Sequence, residues 1–312
     1  MRFSTTTLTV LAAASACLAH PSERRNDKAA ARAVKITDVD ILQYALTLEH
    51  LEDKFYRQGL ATFSLNQFQA AGFDERFYNN LKEVSYDETT HVAFLTKALL
   101  GVKAKPVAEC KYNFGVTDVK SFVATAAILE GVGVSAYLGA AASILEKTYL
   151  TAAGSILTVE SRHSAYLRAA QRQSPFPQPF DAPLDFNEVY TLAAPFIVSC
   201  PSTNSPLPVK AFPKLVLDPA IKRVVSGSTI ALDVKTFRTS TYGGPYFAAW
   251  ISVTGPTFTI ATFINYKFIT NVPPGFHGQS YVVITKKKGC TTDDCVLAGP
   301  AIVEVSGANG SE

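Results

Sequence analysis

Two segments of this chain repeat one eight-residue pattern, and each places a charged pair where a helix would bury apolar side chains. Glu88-Thr89-Thr90-His91-Val92-Ala93-Phe94-Leu95 and Glu160-Ser161-Arg162-His163-Ser164-Ala165-Tyr166-Leu167 both read Glu-x-x-His-x-Ala-aromatic-Leu. A single Glu and His three apart on a helix is most simply a solvated pair worth roughly a few tenths of a kcal/mol. The flanking residues argue against that here. Leu81, Val84, Glu88, His91, Leu95 and Ala98 share one helical stripe, as do Ala153, Ile156, Glu160, His163, Leu167 and Ala170, so both polar pairs face a core.

The helices upstream of each pattern repeat as well. Leu48-Glu49 is followed by Tyr56 and Leu129-Glu130 by Tyr137, with the same spacing from Glu to Tyr. The order is Glu, Glu-x-x-His, Glu, Glu-x-x-His, which is a duplicated helical pair. Glu130 is the sharpest constraint, because no other charged residue lies between Ser121 and Leu145. A buried, unpaired carboxylate costs several kcal/mol unless a proton, a cationic side chain or a metal compensates it. Lys and Arg are absent from the core-facing stripes. Four carboxylates and two imidazoles converging inside a bundle form the ligand set of a dinuclear carboxylate centre. Oxygen and imidazole donors suit iron or manganese.

The metal ligands expected are therefore Glu49, Glu88, His91, Glu130, Glu160 and His163, holding two iron or manganese ions, with Glu88 and Glu160 bridging the two ions or binding one each. Glu52, one turn beyond Glu49, is a rival to it. Tyr56 and Tyr137 are expected to donate hydrogen bonds to ligands, or else to pack as plain aromatics. His50 points about 100° away from Glu49 on the helix and is read as no ligand. His277, between Pro/Gly turns, is read as a surface loop residue.

Composition divides the chain. Pro106 is the only proline from Asp38 to Gln173, ten lie between Pro175 and Pro219, and a Val-, Thr-, Tyr- and Phe-rich stretch follows. The expected fold class is α+β. A four-helix bundle over 38–173 leads to a Pro-rich connector with a short helix over 174–213, then a small β-sandwich-like domain over 214–312. Helices are expected at about Asp38–Gly59, Asp74–Leu100, Asp118–Lys147 and Thr151–Gln173, with a short fifth at Val189–Ile197. The link between the second and third helices extends to about 50 Å. That crosses a bundle about 40 Å long, so those helices run parallel. Strands are expected at Lys214–Leu217, Thr229–Val234, Tyr246–Ser252, Thr257–Phe268, Ser280–Thr285 and Ala301–Val305. Ser121–Leu145 is long enough to cross a membrane, but Glu130 sits on a stripe that matches the first helix, so no membrane span is expected.

Residues 1–19 read as a signal peptide, with Arg2 ahead of a short Ala-rich apolar run, and 20–37 as a tail. The expected location is secreted, extracellular or in the cell wall. Cys110, Cys200, Cys290 and Cys295 would then form disulfides. Cys290 and Cys295 bracket Thr-Thr-Asp-Asp and suit a local loop, which leaves Cys110 with Cys200. Asn309-Gly310-Ser311 is a glycosylation sequon. A formal charge of +3 gives no reason to expect a nucleic-acid partner.

These residues resemble the ferritin-like superfamily. Ala45-Leu46-Thr47-Leu48-Glu49-His50-Leu51-Glu52 with Phe55-Tyr56, and Pro177-Gln178-Pro179-Phe180-Asp181-Ala182-Pro183-Leu184, are similar to the secreted fungal and plant desiccation-related family within it, which includes stress-response and late-sexual-development proteins. The resemblance covers about residues 38–200. Gly131 and Gly133 beside Glu130 are a departure, each loosening the third helix by about 1 kcal/mol while leaving room for a metal or substrate cavity. The implied activity is redox chemistry on peroxide or dioxygen, as a catalase-, peroxidase- or ferroxidase-like oxidoreductase. Two alternatives are a non-catalytic, protective extracellular protein whose β domain binds cell wall or a protein partner, and an iron-storage cage. The appended β domain and secretion argue against the cage.

Overall fold

The structure, a computed structural model, describes residues 36–235 and 243–309. The signal-peptide reading, nearly all of the tail, and the sequon beyond Asn309 lie outside these residues. Helix α1 (Asp38–Thr62) opens on a capping box, in which Thr37 Oγ1 accepts from Asp40 N at 3.2 Å and the Asp40 carboxylate accepts from Thr37 N at 2.9 Å. A short α2 (Leu65–Ala70), not expected from the sequence, tucks a fully buried Phe68 against the end of the bundle. Asp74 caps α3 (Glu75–Gly101) and Asp118 caps α4 (Val119–Ala140). The third helix was expected to run to Lys147. Instead it stops at Ala140, and α5 (Lys147–Ala170) starts earlier than expected. The reason is a long-range bond, because the Asp38 carboxylate accepts from the Leu145 and Glu146 amides at 2.9 and 2.8 Å. This pins the α4–α5 turn on the start of α1.

Side-chain pairs fix the helix directions. Thr89 bonds Asp53 while Gln43 bonds Lys105 and Val107, so α3 runs antiparallel to α1. Tyr56 bonds Glu130 while Tyr137 bonds Glu49, so α4 does too. Helices α3 and α4 are therefore parallel, and the crossover between them carries β1 (Lys111–Tyr112). The Cys110–Cys200 disulfide ties this crossover to the chain after α6 (Phe186–Ala193), where β2 (Ile197–Ser199) pairs antiparallel with β1. Val119–Ser143 is long and apolar enough to cross a membrane by composition, and most of it is buried in the protein.

Helix α6 begins before the expected Val189, on a capping box between Asp185 and Glu188, and gives way to a 3-10 turn at Ala194–Phe196 that holds Pro195. Burial, then the charge of Asp185, pushes the Glu188 carboxyl up to about 8. An acid raised in the folded state costs stability as pH rises from its unfolded pKa to its folded one. Glu188→Gln keeps an acceptor for the cap and removes the charge. Its stability advantage over the native chain is expected to be absent near pH 4.5 and to grow by about 1 kcal/mol per pH unit toward pH 8, by urea unfolding.

Among the described residues eight strands follow: β3 (Val216–Leu217), β4 (Val224–Val225), β5 (Thr229–Asp233), β6 (Tyr246–Trp250), β7 (Thr257–Ile264), β8 (Lys267–Asn271), β9 (Gly278–Thr285) and β10 (Val296–Ser306). They form one curled sheet in the order β3-β5-β8-β7-β6-β9-β10-β4, antiparallel except for β10 and β4. Strand β7 pairs with β6 through Thr257–Ala261 and with β8 through Thr262–Ile264, so it joins the two halves of the sheet. The halves share a core of Leu232, Trp250, Phe268, Val282, Ile284 and Val303. The single strand expected over Thr257–Phe268 is thus a hairpin. Asn265 and Tyr266 turn it with φ of 50° and 60°. That is the backbone of a two-residue primed turn, for which only Asn is a strong signal. Cys290 and Cys295 pair within the β9–β10 connection.

The sheet docks on the bundle along α4 and α5. Tyr281 donates to the Gly131 carbonyl at 2.8 Å and Arg168 makes a two-pronged pair with Glu304 at 3.0 and 2.8 Å, while the connector is held to α4 by Leu184 N donating to Ser135 O at 3.1 Å. A Cβ on Gly131 would lie 2.6 Å from the Gln279 side chain. The room left by Gly131 is therefore taken by the Gln279 side chain of the sheet and lies outside the two donor groups. His277 also departs from expectation. It is fully buried at the start of β9, against Gly307 at the end of β10.

Candidate metal centre

The four bundle helices each send carboxylates inward at the same level. Glu49 comes from α1, Glu88 and His91 from α3, Glu130 from α4, and Glu160 and His163 from α5. All four glutamates are fully buried, and both histidines are nearly so. Donor atoms of Glu49, Glu88, His91 and Glu160 all lie within 4.8 Å of one another, and so do those of Glu88, Glu130, Glu160 and His163. Glu88 and Glu160 belong to both groups. His91 Nδ1 is 3.3 Å from Glu49 and Glu88 and 3.4 Å from Glu160, while His163 Nδ1 is 3.1 Å from Glu88 and 3.2 Å from Glu130.

The tyrosines cross between the two halves of the repeat. Tyr56 donates to Glu130, and Tyr137 donates to Glu49. Burial, with the charges of the carboxylates they face, holds both phenols well above their usual range, so they remain neutral donors. Each duplicated helix thus orients the carboxylate of the other.

The cluster fits a metal. Among the described residues, no lysine or arginine forms an ion pair with any of the four glutamates; their only cationic neighbours are His91 and His163. Both oxygens of Glu160, Oε2 of Glu49 and Oε1 of Glu88 are buried without a hydrogen-bond partner. Polar atoms so placed need a compensating charge. Without one, protons serve. Burial drives Glu160 well above the carboxylate range and Glu88 up to about 7. Burial opposes charge on the imidazoles, yet His91 is raised by Glu160, Glu49 and Glu88, and His163 reaches about 11 through Glu130 and Glu88. Four carboxylates with two neutral imidazoles would be balanced by two divalent cations.

Glu52 is buried beside this cluster but belongs to neither donor group. Its carboxyl is raised well above the usual range by burial and then by Glu160, Glu88, Glu49 and Glu130. A Cβ on Gly133 would lie 3.0 Å from Glu52 Oε1 and 3.1 Å from Glu160 Oε2, so Gly133, unlike Gly131, makes room at the centre. His50 lies apart, its Nε2 3.1 Å from the Val107 carbonyl oxygen.

Asp87 was not singled out in the sequence. Its Oδ2 lies 3.1 Å from His163 Nε2. Asp87 precedes Glu88 and falls off the apolar stripe, so its only signal was an acid adjoining the motif. A carboxylate on the far nitrogen of a ligand histidine fixes the ring and strengthens it as a donor. Asp87→Asn is expected to weaken metal binding about 10- to 100-fold in a chelator competition while leaving the fold intact. An unchanged affinity would show that the contact orients nothing.

The bundle is filled unequally on the two sides of the centre. Toward one end, Phe55, Phe68, Phe77, Phe114 and Phe122 pack ring on ring. Toward the other, alanines at 45, 136, 140, 152 and 153 leave an apolar cavity of about 40 Å³. Its lining includes Leu48, Tyr137, Leu95 and Ile156, each within about one turn of Glu49, His91 or Glu160 along its own helix or bonded to Glu49.

Residues 37–173, the duplicated antiparallel helix pair joined by one long crossover, match the family model described as a ferritin-like domain. The chain is also 29% identical over 180 residues to Protein rds1 of Schizosaccharomyces pombe, an overlap of 58% of this chain and 44% of that protein. The match therefore spans less than half the length of that relative.

Proposed function

We propose that the ferritin-like domain holds two iron or manganese ions between Glu49, Glu88, His91, Glu130, Glu160 and His163, with Glu88 and Glu160 shared, and that the loaded protein carries out redox chemistry on dioxygen or peroxide. The observation that carries this is the sharing of Glu88 and Glu160 by both donor groups while three of their four oxygens have no hydrogen-bond partner. Bound there, a metal pair would supply the Lewis acidity and the electrons for chemistry on an O–O bond. The chain's own groups orient the ligands: Tyr56 and Tyr137 donate to Glu130 and Glu49, and Asp87 keeps His163 turned. The alanine-lined cavity supports dioxygen over peroxide. An apolar lining offers peroxide no replacement for its hydrogen bonds to water, which dioxygen does not need. Paired disulfides suit an oxidising compartment, and with the amino-terminal reading they support a secreted protein; a role in stress or development rests on the family resemblance alone.

The test is anaerobic loading with Fe²⁺ or Mn²⁺, then exposure to dioxygen or peroxide while metal oxidation and substrate loss are followed. Turnover that disappears in Glu160→Ala is the expected result. A second reading is a metal site kept for stability alone, favoured by the full burial of all four glutamates, since closed sites are structural ones. It predicts a raised melting temperature on loading and no turnover with either oxidant.

A further inference from the structure

A second cavity, of about 220 Å³, lies where the sheet meets the outer face of α4 and α5. It is lined by Ser164 and Arg168 of α5, Phe176, Gln178 and Asp181 of the Pro-rich connector, and Gln279 of β9. The connector motif that contributes this wall supplies no donor to the metal centre.

The positive charge here is already used. Arg168 gives two nitrogens to Glu304 at 3.0 and 2.8 Å and its Nε to the Ser174 carbonyl at 2.8 Å. Gln279 Nε2 is likewise committed, to Ile128 O at 3.2 Å and Tyr281 Oη at 2.8 Å. Among the described side chains that line the cavity, the polar groups with no hydrogen bond of their own are the Asp181 carboxylate, Gln279 Oε1, the Gln178 side-chain amide and the Ser164 hydroxyl. This set is rich in acceptors and sits on a frame held from both sides. An anion finds no unspent cation, and an apolar ligand would leave these groups unpaired. Phe176 lines the same space and is 80% exposed, a large aromatic face left in water.

We infer that this cavity binds a neutral polyhydroxylated molecule, a single sugar ring or a short polyol. Its hydroxyls donate to Asp181 and Gln279 Oε1 and accept from Gln178, while its C–H face lies on Phe176. The volume is below the roughly 300–1,000 Å³ of pockets for drug-sized ligands, which fits one ring and excludes a buried chain of them.

The experiment is saturation-transfer NMR and calorimetry on the full folded chain, with methyl glucoside, N-acetylglucosamine, mannitol and, as a cationic control, spermidine. Asp181→Asn and Phe176→Ala alter exposed side chains and are not expected to disturb the fold. Saturable binding of at least one sugar or polyol, weakened about tenfold by each variant, is the expected result. Three outcomes would overturn the inference: no saturable binding up to about 100 mM, equal binding in both variants, or capture of spermidine with none of the neutral probes bound.

Discussion

Glu160→Ala is expected to abolish metal binding at both positions of the centre, whereas Glu49→Ala and Glu130→Ala each weaken one. Glu160 stands in both donor groups, and neither of its oxygens has a hydrogen-bond partner. Groups that merely orient ligands contribute about 10- to 100-fold to affinity, so losing a shared ligand exceeds that. The sign of the stability change separates this role from a packing role. A buried carboxylate whose one cationic contact is His91 at 3.4 Å destabilises the metal-free protein, and burial has already driven the Glu160 carboxyl upward. Glu160→Gln keeps the volume and removes the charge. It is expected to raise the stability of the metal-free protein by roughly 1–4 kcal/mol and to lose most of the further gain that metal gives the native chain. Urea unfolding with and without Mn²⁺ reads both terms. A variant that is less stable without metal would assign Glu160 to packing.

Gly139→Ala is expected to destabilise the fold by about 3 kcal/mol or more, although alanine is ordinarily the better helix former. A Cβ at 139 would lie 1.8 Å from the Leu184 carbonyl oxygen, a backbone atom that cannot rotate away. Leu184 is itself tied to α4 through Ser135, so the connector would have to lift off the helix. Gly154→Ala is the control. Nothing lies within 4 Å of its added carbon, and it is expected to stabilise by roughly 0.5–1 kcal/mol. Thermal unfolding of both variants reads opposite signs if close approach, and not helix propensity, sets the requirement at 139.

What was legible in the sequence follows from periodicity. The bundle and the level at which its polar residues meet come from stripes of spacing three and four, which tertiary packing reinforces. The stripe positions Leu81, Val84, Leu95, Ile156 and Leu167 are buried beside the six polar residues. What was not legible depends on partners distant in sequence. The α4–α5 boundary is set by Asp38, and the Gly131 space is filled by Gln279. The burial of His277 depends on where β10 ends. The turn at Asn265-Tyr266 escaped because Tyr carries no turn signal although its backbone is left-handed. Asp87 escaped because, in sequence, an acid beside a motif and off its apolar stripe resembles any solvated charge.

The most direct measurement is the metal content of the purified full-length protein, by elemental analysis after anaerobic dialysis against Fe²⁺ or Mn²⁺. About two ions per chain are expected, falling to none in Glu160→Ala. A native chain that is fully folded and retains neither metal would contradict the account.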